Sequence, residues 1–403
     1  MDRESLRRET SGLSPARAGQ RDKAIDSLKS IAIVSVIIIH VTSYGWDVYS
    51  INSAGWIINM MWACLARPAV PVFLMCSGAL MLAPERALPT RKLFLKNLPR
   101  IILSMLVWAM AYKVYAIGAG GDLTFAALIQ GAKEVLVFNQ EFHFYYIHMT
   151  ILVYVCLPVT RLIVARGERR LSEYCLALWF IFGVIYPTAI NFWPFYLISG
   201  FARQWMLNMT YASIGYGMLG FYIRRVASGA GTRKWHALSL GFGFCLAFFG
   251  TWIICVRANA FADAFLGGMS VGVAFMATGI FGLVSAAYPA ADAAPASDTV
   301  PDFDTAPAFD AAPASDTKKK NPAPKRGLTK EAIAKTTKYL SDASFCVYLA
   351  HVFFLRVLEN AGWFSGWMSP VLFAPLTAAG ILFASLLVYA VLSRIPIVNR
   401  WLI

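Results

Sequence analysis

The sequence predicts an all-α polytopic membrane protein, a bundle of about ten transmembrane helices with both termini cytoplasmic. Three observations carry this. Hydrophobic residues make up 58% of the 403 and charged residues only 14%, against roughly 25% charged in soluble globular domains. The mean hydropathy is +0.57. Apolar stretches of membrane-spanning length alternate with short loops, and about 30 of the 36 Lys and Arg fall in every second loop, the positive-inside pattern. The net charge of +14 therefore points to anionic headgroups and a polyanionic ligand, with no nucleic acid.

The elements follow in order. Residues 1–23 are a polar cytoplasmic tail without the apolar core of a cleavable signal, so the first span is an uncleaved anchor. The first eight spans fill residues 24–288: Ala24–Trp46, Gly55–Leu82, Ile101–Ile117, Phe144–Ala165, Leu171–Ile190, Met209–Ile223, Trp235–Val256 and Phe265–Tyr288. Tyr44, Gly45 and Trp46 suit an interfacial belt at the outer end of the first span. Residues 118–142 read as an outer loop. Residues 289–338 form a disordered cytoplasmic linker rich in Ala, Pro and Asp, in which DAAPASDT occurs at Asp292–Thr299 and again at Asp310–Thr317. Spans nine and ten, Ser341–Leu358 and Pro370–Leu392, complete the same domain within residues 339–403.

Function is sought in the polar groups that enter the membrane, because burying them is costly. In the first span Lys29 and His40 are eleven residues apart, nearly three helical turns, so they share one face about 16 Å apart along the axis. Asp26 lies on the same face, one turn before Lys29. An imidazole at that depth suits a general base, or a packing residue satisfied by a hydroxyl. Arg67 stands near the middle of the second span between apolar residues, followed by Pro68 and Pro71, which free backbone carbonyls. Lys96 and Arg100 belong to the basic run Lys92–Arg100. That run reads either as topology charge or as a phosphate clamp. His143, Tyr145, Tyr146 and His148 open the fourth span, and Tyr348 and His351 share a face of the ninth. The seven cysteines have no metal-clip spacing, and there is no GxSxG, HExxH, P-loop or GxGxxG; no metal and no tightly bound cofactor is expected.

These five places, in this order, resemble the acyltransferase-3 family of polytopic membrane O-acyltransferases. The resemblance is closest to the bacterial inner-membrane O-acetyltransferases that decorate surface polysaccharides, including the one acting on enterobacterial common antigen. The opening motif of the family is matched by Asp26, Leu28, Lys29, Ile31, Ala32 and His40, its second-span signature by Arg67, Val70, Pro71, Phe73, Leu74, Met75, Ser77 and Gly78. A block at His143–Ile147, a run at Tyr216–Gly220, and Ser344, Tyr348 and His351 complete it. Three positions depart from the family pattern. Lys29 stands where Arg is usual and loses the bidentate fork, Asn97 stands where the first Arg of an Arg-x-x-Arg pair is common, and Tyr145 replaces a Trp.

The resemblance implies transfer of an acyl group, most simply acetyl, from acyl-CoA to a hydroxyl of a cell-surface glycan or lipid-linked saccharide at the bacterial inner (cytoplasmic) membrane. It implies catalytic roles for His40, Lys29 and Asp26, with His40 as base. Arg67, Lys96, Arg100, His143, Tyr145, Tyr348 and His351 would bind donor and acceptor. Acyl-CoA, the saccharide and membrane lipids are the implied partners, and a homo-oligomer is compatible with the sequence. The rival reading is a transporter or flippase of a lipid-linked sugar, for which inverted repeats between halves would speak; none is visible.

Overall fold

A computed structural model describes residues 21–83, 88–121, 123–165, 169–200, 209–225, 230–288 and 328–403. The polar tail up to residue 20 and the repeated DAAPASDT segment lie outside the described residues. Among the described residues every regular element is helical: α1 Lys23–Ser43, α2 Ala54–Ala66, α3 Ala69–Met81, α4 Leu98–Ala119, α5 Phe125–Leu136, α6 Tyr145–Ala165, α7 Arg169–Phe180, α8 Met209–Arg225, α9 Arg233–Ala258, α10 Val271–Ala287, α11 Leu328–Asn360, α12 Pro370–Leu392 and α13 Pro396–Trp401. Among the described residues, eight segments are long and apolar enough to cross a membrane. The sixth and eighth expected spans are the shorter helices α8 and α10, of 17 residues each.

Local chemistry sets the helix boundaries. The Asp22 carboxylate caps α1, accepting from the backbone N–H groups of Ala24 at 2.9 Å and Ile25 at 3.4 Å. The second span breaks at Arg67–Pro68. Pro71 has no N–H for the Arg67 carbonyl, and the last turn of α2 tightens so that Arg67 N–H donates to Cys64 as well as Ala63. Pro99 follows the wide turn Leu93–Asn97, where the missing N–H leaves α4 to start afresh. Thr124 caps α5, which lies within the segment expected to be loop. Lys113 of α4 pairs with Glu134 of α5 at 2.6 Å and holds that carboxyl below its ordinary value. Helix α11 begins at Leu328, so the helical ninth span reaches back into the stretch assigned to the linker. The eighth span starts only at Val271, because Asn259, in the left-handed conformation, caps α9 and residues 260–270 run without helix.

Helices α1, α3 and α11 form the centre, with α8, α10 and α12 packed around them and α9 held against α10. The alternation of chain direction sorts the charges. Arg21, Lys23, Lys29, Lys96, Arg100, Arg161, Arg224 and Arg233 gather at one end, whereas Lys113, Lys133, Arg257 and Arg356 lie at the other. The basic end is knotted by Arg224, whose side chain is 7% exposed. It donates to both oxygens of Asp22 at 2.9 Å and to the carbonyls of Ser285 and Tyr288, tying the start of α1 to the ends of α8 and α10. Asp22→Ala removes the cap and leaves a guanidinium buried without its carboxylate, a loss of about 3 kcal/mol or more. A lower thermal unfolding midpoint in nanodiscs is expected, with Asp22→Asn, which retains the cap, falling between the two.

Candidate active site

Three imidazoles meet toward the end opposite the basic charges. His40 sits in the last turn of α1 and is partly accessible. Its ring centre lies 5.2 Å from that of His351 on α11 and 5.1 Å from Phe142, which precedes α6. His143 lies 5.4 Å from His351. Both His143 and His351 are fully buried, at 0% exposure. Arg67, from the break between α2 and α3, is within electrostatic reach of His40 and of Tyr145. Four segments distant in sequence therefore deliver six of the predicted site residues, His40, Arg67, His143, Tyr145, Tyr348 and His351, to one place.

The surrounding hydrogen bonds fix backbone around the imidazoles. The Tyr348 hydroxyl donates to the carbonyl of His143. The Tyr112 hydroxyl donates to Leu349 O at 2.7 Å and accepts from Phe353 N–H at 3.0 Å. It thus serves the two backbone groups that an i→i+4 helical bond would join, beside His351. What the cluster does not satisfy is its own polar atoms. His143 Nδ1 and Nε2, His351 Nε2 and Arg67 Nε are buried with no hydrogen-bond partner. Most buried polar groups in folded proteins are paired, and four unpaired atoms in one cluster form an arrangement able to take a polar ligand. Tyr145, 49% exposed, opens toward the same region.

The remaining predicted site residues stand elsewhere. Asp26 is about 21 Å along α1 from His40. Its oxygens are held by Arg21 at 2.5 and 2.9 Å and by the Ser341 hydroxyl at 2.7 Å, and Arg21 also reaches Asp342 at 2.7 Å. This bracket joins α1 to α11 at the basic end. Lys29 is half-buried nearby, near enough to Cys76 for its charge to be felt there, and makes no hydrogen bond to another described residue. Lys96 lies in the wide turn before α4 and is exposed. Arg100 donates to the carbonyl of Ile403, while Ser104 Oγ and Trp108 Nε1 donate to Leu402 O at 2.8 and 3.2 Å.

Sequence reasoning missed Tyr112, Phe142 and the network just outside the imidazoles. There Arg356 bonds Glu141 at 3.1 Å and Glu359 at 3.0 Å, and Tyr44 donates to Glu359 at 3.1 Å. Glu141 next to a His-rich run was the one available signal. Among the described residues no group of three His, Cys, Asp or Glu is arranged to hold a metal ion. Residues 22–390 match the family model described as an acyltransferase domain. No curated protein and no solved structure matches the chain.

Proposed function

Because the chain belongs to the acyltransferase-3 family, whose domain spans residues 22–390 and whose members transfer acyl groups to saccharide hydroxyls at a membrane, we propose that it moves an acetyl group from acetyl-CoA to a surface glycan or lipid-linked saccharide at the bacterial inner membrane, with His40 as general base. The observation that carries this reading is the cluster of unpartnered buried polar atoms on His143, His351 and Arg67 around a partly accessible His40.

In this reading the acceptor oxygen attacks the thioester carbonyl. A C–O bond forms, the C–S bond breaks, and the acceptor proton passes to His40 and from there to the leaving thiolate of CoA. Arg67 would hold the carbonyl oxygen as it gains charge. The donor would come from the basic end, where Lys29, Lys96 and Arg100 offer cations to its phosphates. Lys29 shares the face of α1 that ends at His40. Both termini on the cytoplasmic side would make the basic end the cytoplasmic one. Tyr145, His143 and Tyr348 would orient the acceptor near the other end.

The test uses purified full-length protein in nanodiscs with radiolabelled acetyl-CoA and an envelope-glycan extract of the source organism. Label is expected in glycan, and the labelled species identifies the acceptor. Absence of both label transfer and acetyl-CoA cleavage would overturn the reading and favour a transporter of lipid-linked sugar.

A further inference from the structure

A general base in a hydrogen-bonding site needs a group that orients it, commonly a carboxylate. The charged or titratable groups that interact with His40 are His351, Arg67 and His143; the carboxylates on its own helix and outside the cluster are committed elsewhere. Asp26 is held by Arg21 and Ser341 a long way down α1. Glu141 and Glu359 are engaged by Arg356. The neighbour that faces His40 is an imidazole.

The state of that imidazole can be read from its partners. His351 Nδ1 lies 2.7 Å from the carbonyl oxygen of Tyr348 and 3.2 Å from that of Val347, one helical turn back. A carbonyl oxygen only accepts, so Nδ1 carries the proton and donates. In a neutral ring Nε2 is then the lone-pair nitrogen. It is buried and has no partner. The ring centres of His40 and His351 are 5.2 Å apart, with planes inclined by 29°. One N–H···N bond of about 3 Å, with about 1 Å from each nitrogen to its ring centre, spans about 5 Å. The rings are stacked, with no nitrogen–nitrogen hydrogen bond between them in this structure, so the His40 ring must turn to bring one of its nitrogens in line with His351 Nε2.

We propose that His351 is the positioning residue for His40: its Nε2 accepts an N–H bond from His40, fixing the His40 tautomer so that the other nitrogen presents its lone pair to the acceptor hydroxyl. His351 does the work that a carboxylate does in other acid–base pairs, and does so as a neutral group, which suits a buried site with Arg67 already charged beside it. Tyr112 and Tyr348 support the arrangement by bracing the stretch of α11 that carries His351 and the backbone of His143. The consequence for the reaction rests on the acyl-transfer reading; the tautomer and the contact do not.

The sequence contains five histidines, so ¹⁵N-histidine labelling of the full chain in nanodiscs resolves each ring, assigned by single substitutions. The expected spectrum shows His351 neutral with its proton on Nδ1, and a His40 signal that changes in His351→Met. A His351 protonated at Nε2, or a His40 signal indifferent to His351→Met, overturns the proposal whether or not the protein cleaves acetyl-CoA. The kinetic arm measures acetyl-CoA cleavage. His351→Met is expected to lower kcat by about 10–100-fold with KM for acetyl-CoA unchanged. His351→Gln, which places an amide oxygen near the Nε2 position, is expected to restore much of the loss. Equal kcat in wild type and both variants, per folded molecule, also overturns it. A wild type inactive toward acetyl-CoA, with the expected spectrum, instead removes the acyl-transfer reading and leaves the pair standing.

Discussion

His40→Ala is expected to reduce label transfer from acetyl-CoA to glycan by about 10²–10⁴-fold, the usual contribution of a positioned general base. The protein should otherwise stay intact. His40 is partly accessible, and its neighbour His351 remains buried in α11. Its removal leaves space beside an already accessible region, a milder change than a cavity in a closed core. Thermal midpoint and elution volume in detergent should match wild type. Equal transfer by wild type and His40→Ala, measured on folded protein, would make His40 a packing residue and remove the base from the mechanism. His40→Gln separates shape from proton transfer, since it retains hydrogen-bonding capacity and cannot take up the proton.

A large loss of stability is expected from Gly78→Ala. Helices α3 and α8 cross with their backbones in contact, and a Cβ on Gly78 would stand 2.0 Å from Gly217 O and 2.3 Å from Gly217 C. One turn along, a Cβ on Gly220 would meet Met75 O at 2.3 Å. The obstacles are backbone atoms, which no rotamer change can move aside, so the helices must separate. Overpacking by a methyl group usually costs about 1–3 kcal/mol, and this crossing should lie at or above that range. Small residues permit such close approach between membrane helices, where packing replaces the hydrophobic drive of water. The expected result is a strongly lowered midpoint or loss of folded protein. Gly241→Ala on α9, where a Cβ meets nothing within 4 Å, is the control and should be close to neutral. An unchanged midpoint in Gly78→Ala would mean that α3 and α8 are not in backbone contact.

Gly78 shows how far a motif can be read. As the final residue of the second-span signature it looks like part of a functional block, and it serves as the point where α8 is admitted against α3. Arg67 of the same signature lies within electrostatic reach of His40. The shared face of Asp26, Lys29 and His40 was legible from spacing. That spacing says nothing of what stands opposite each residue, and α11 meets Asp26 with Ser341 and His40 with His351. Arg224 reads as a topology charge at the end of a span, yet it is buried among Asp22, Ser285 and Tyr288.

The sequence by itself determined the class of the molecule, the order of its apolar segments and the asymmetry of its charge. Those are consequences of transfer free energy, which each segment satisfies with its own side chains and its own backbone hydrogen bonds, whatever its neighbours are. The tertiary structure decided which polar groups confront one another: His40 with His351, Asp22 with Arg224, Tyr112 with the backbone of α11. Such pairings span hundreds of residues and depend on the rotation and depth of each helix relative to the next. Those are set by small-residue crossings and proline breaks, and no periodicity within a single helix encodes them.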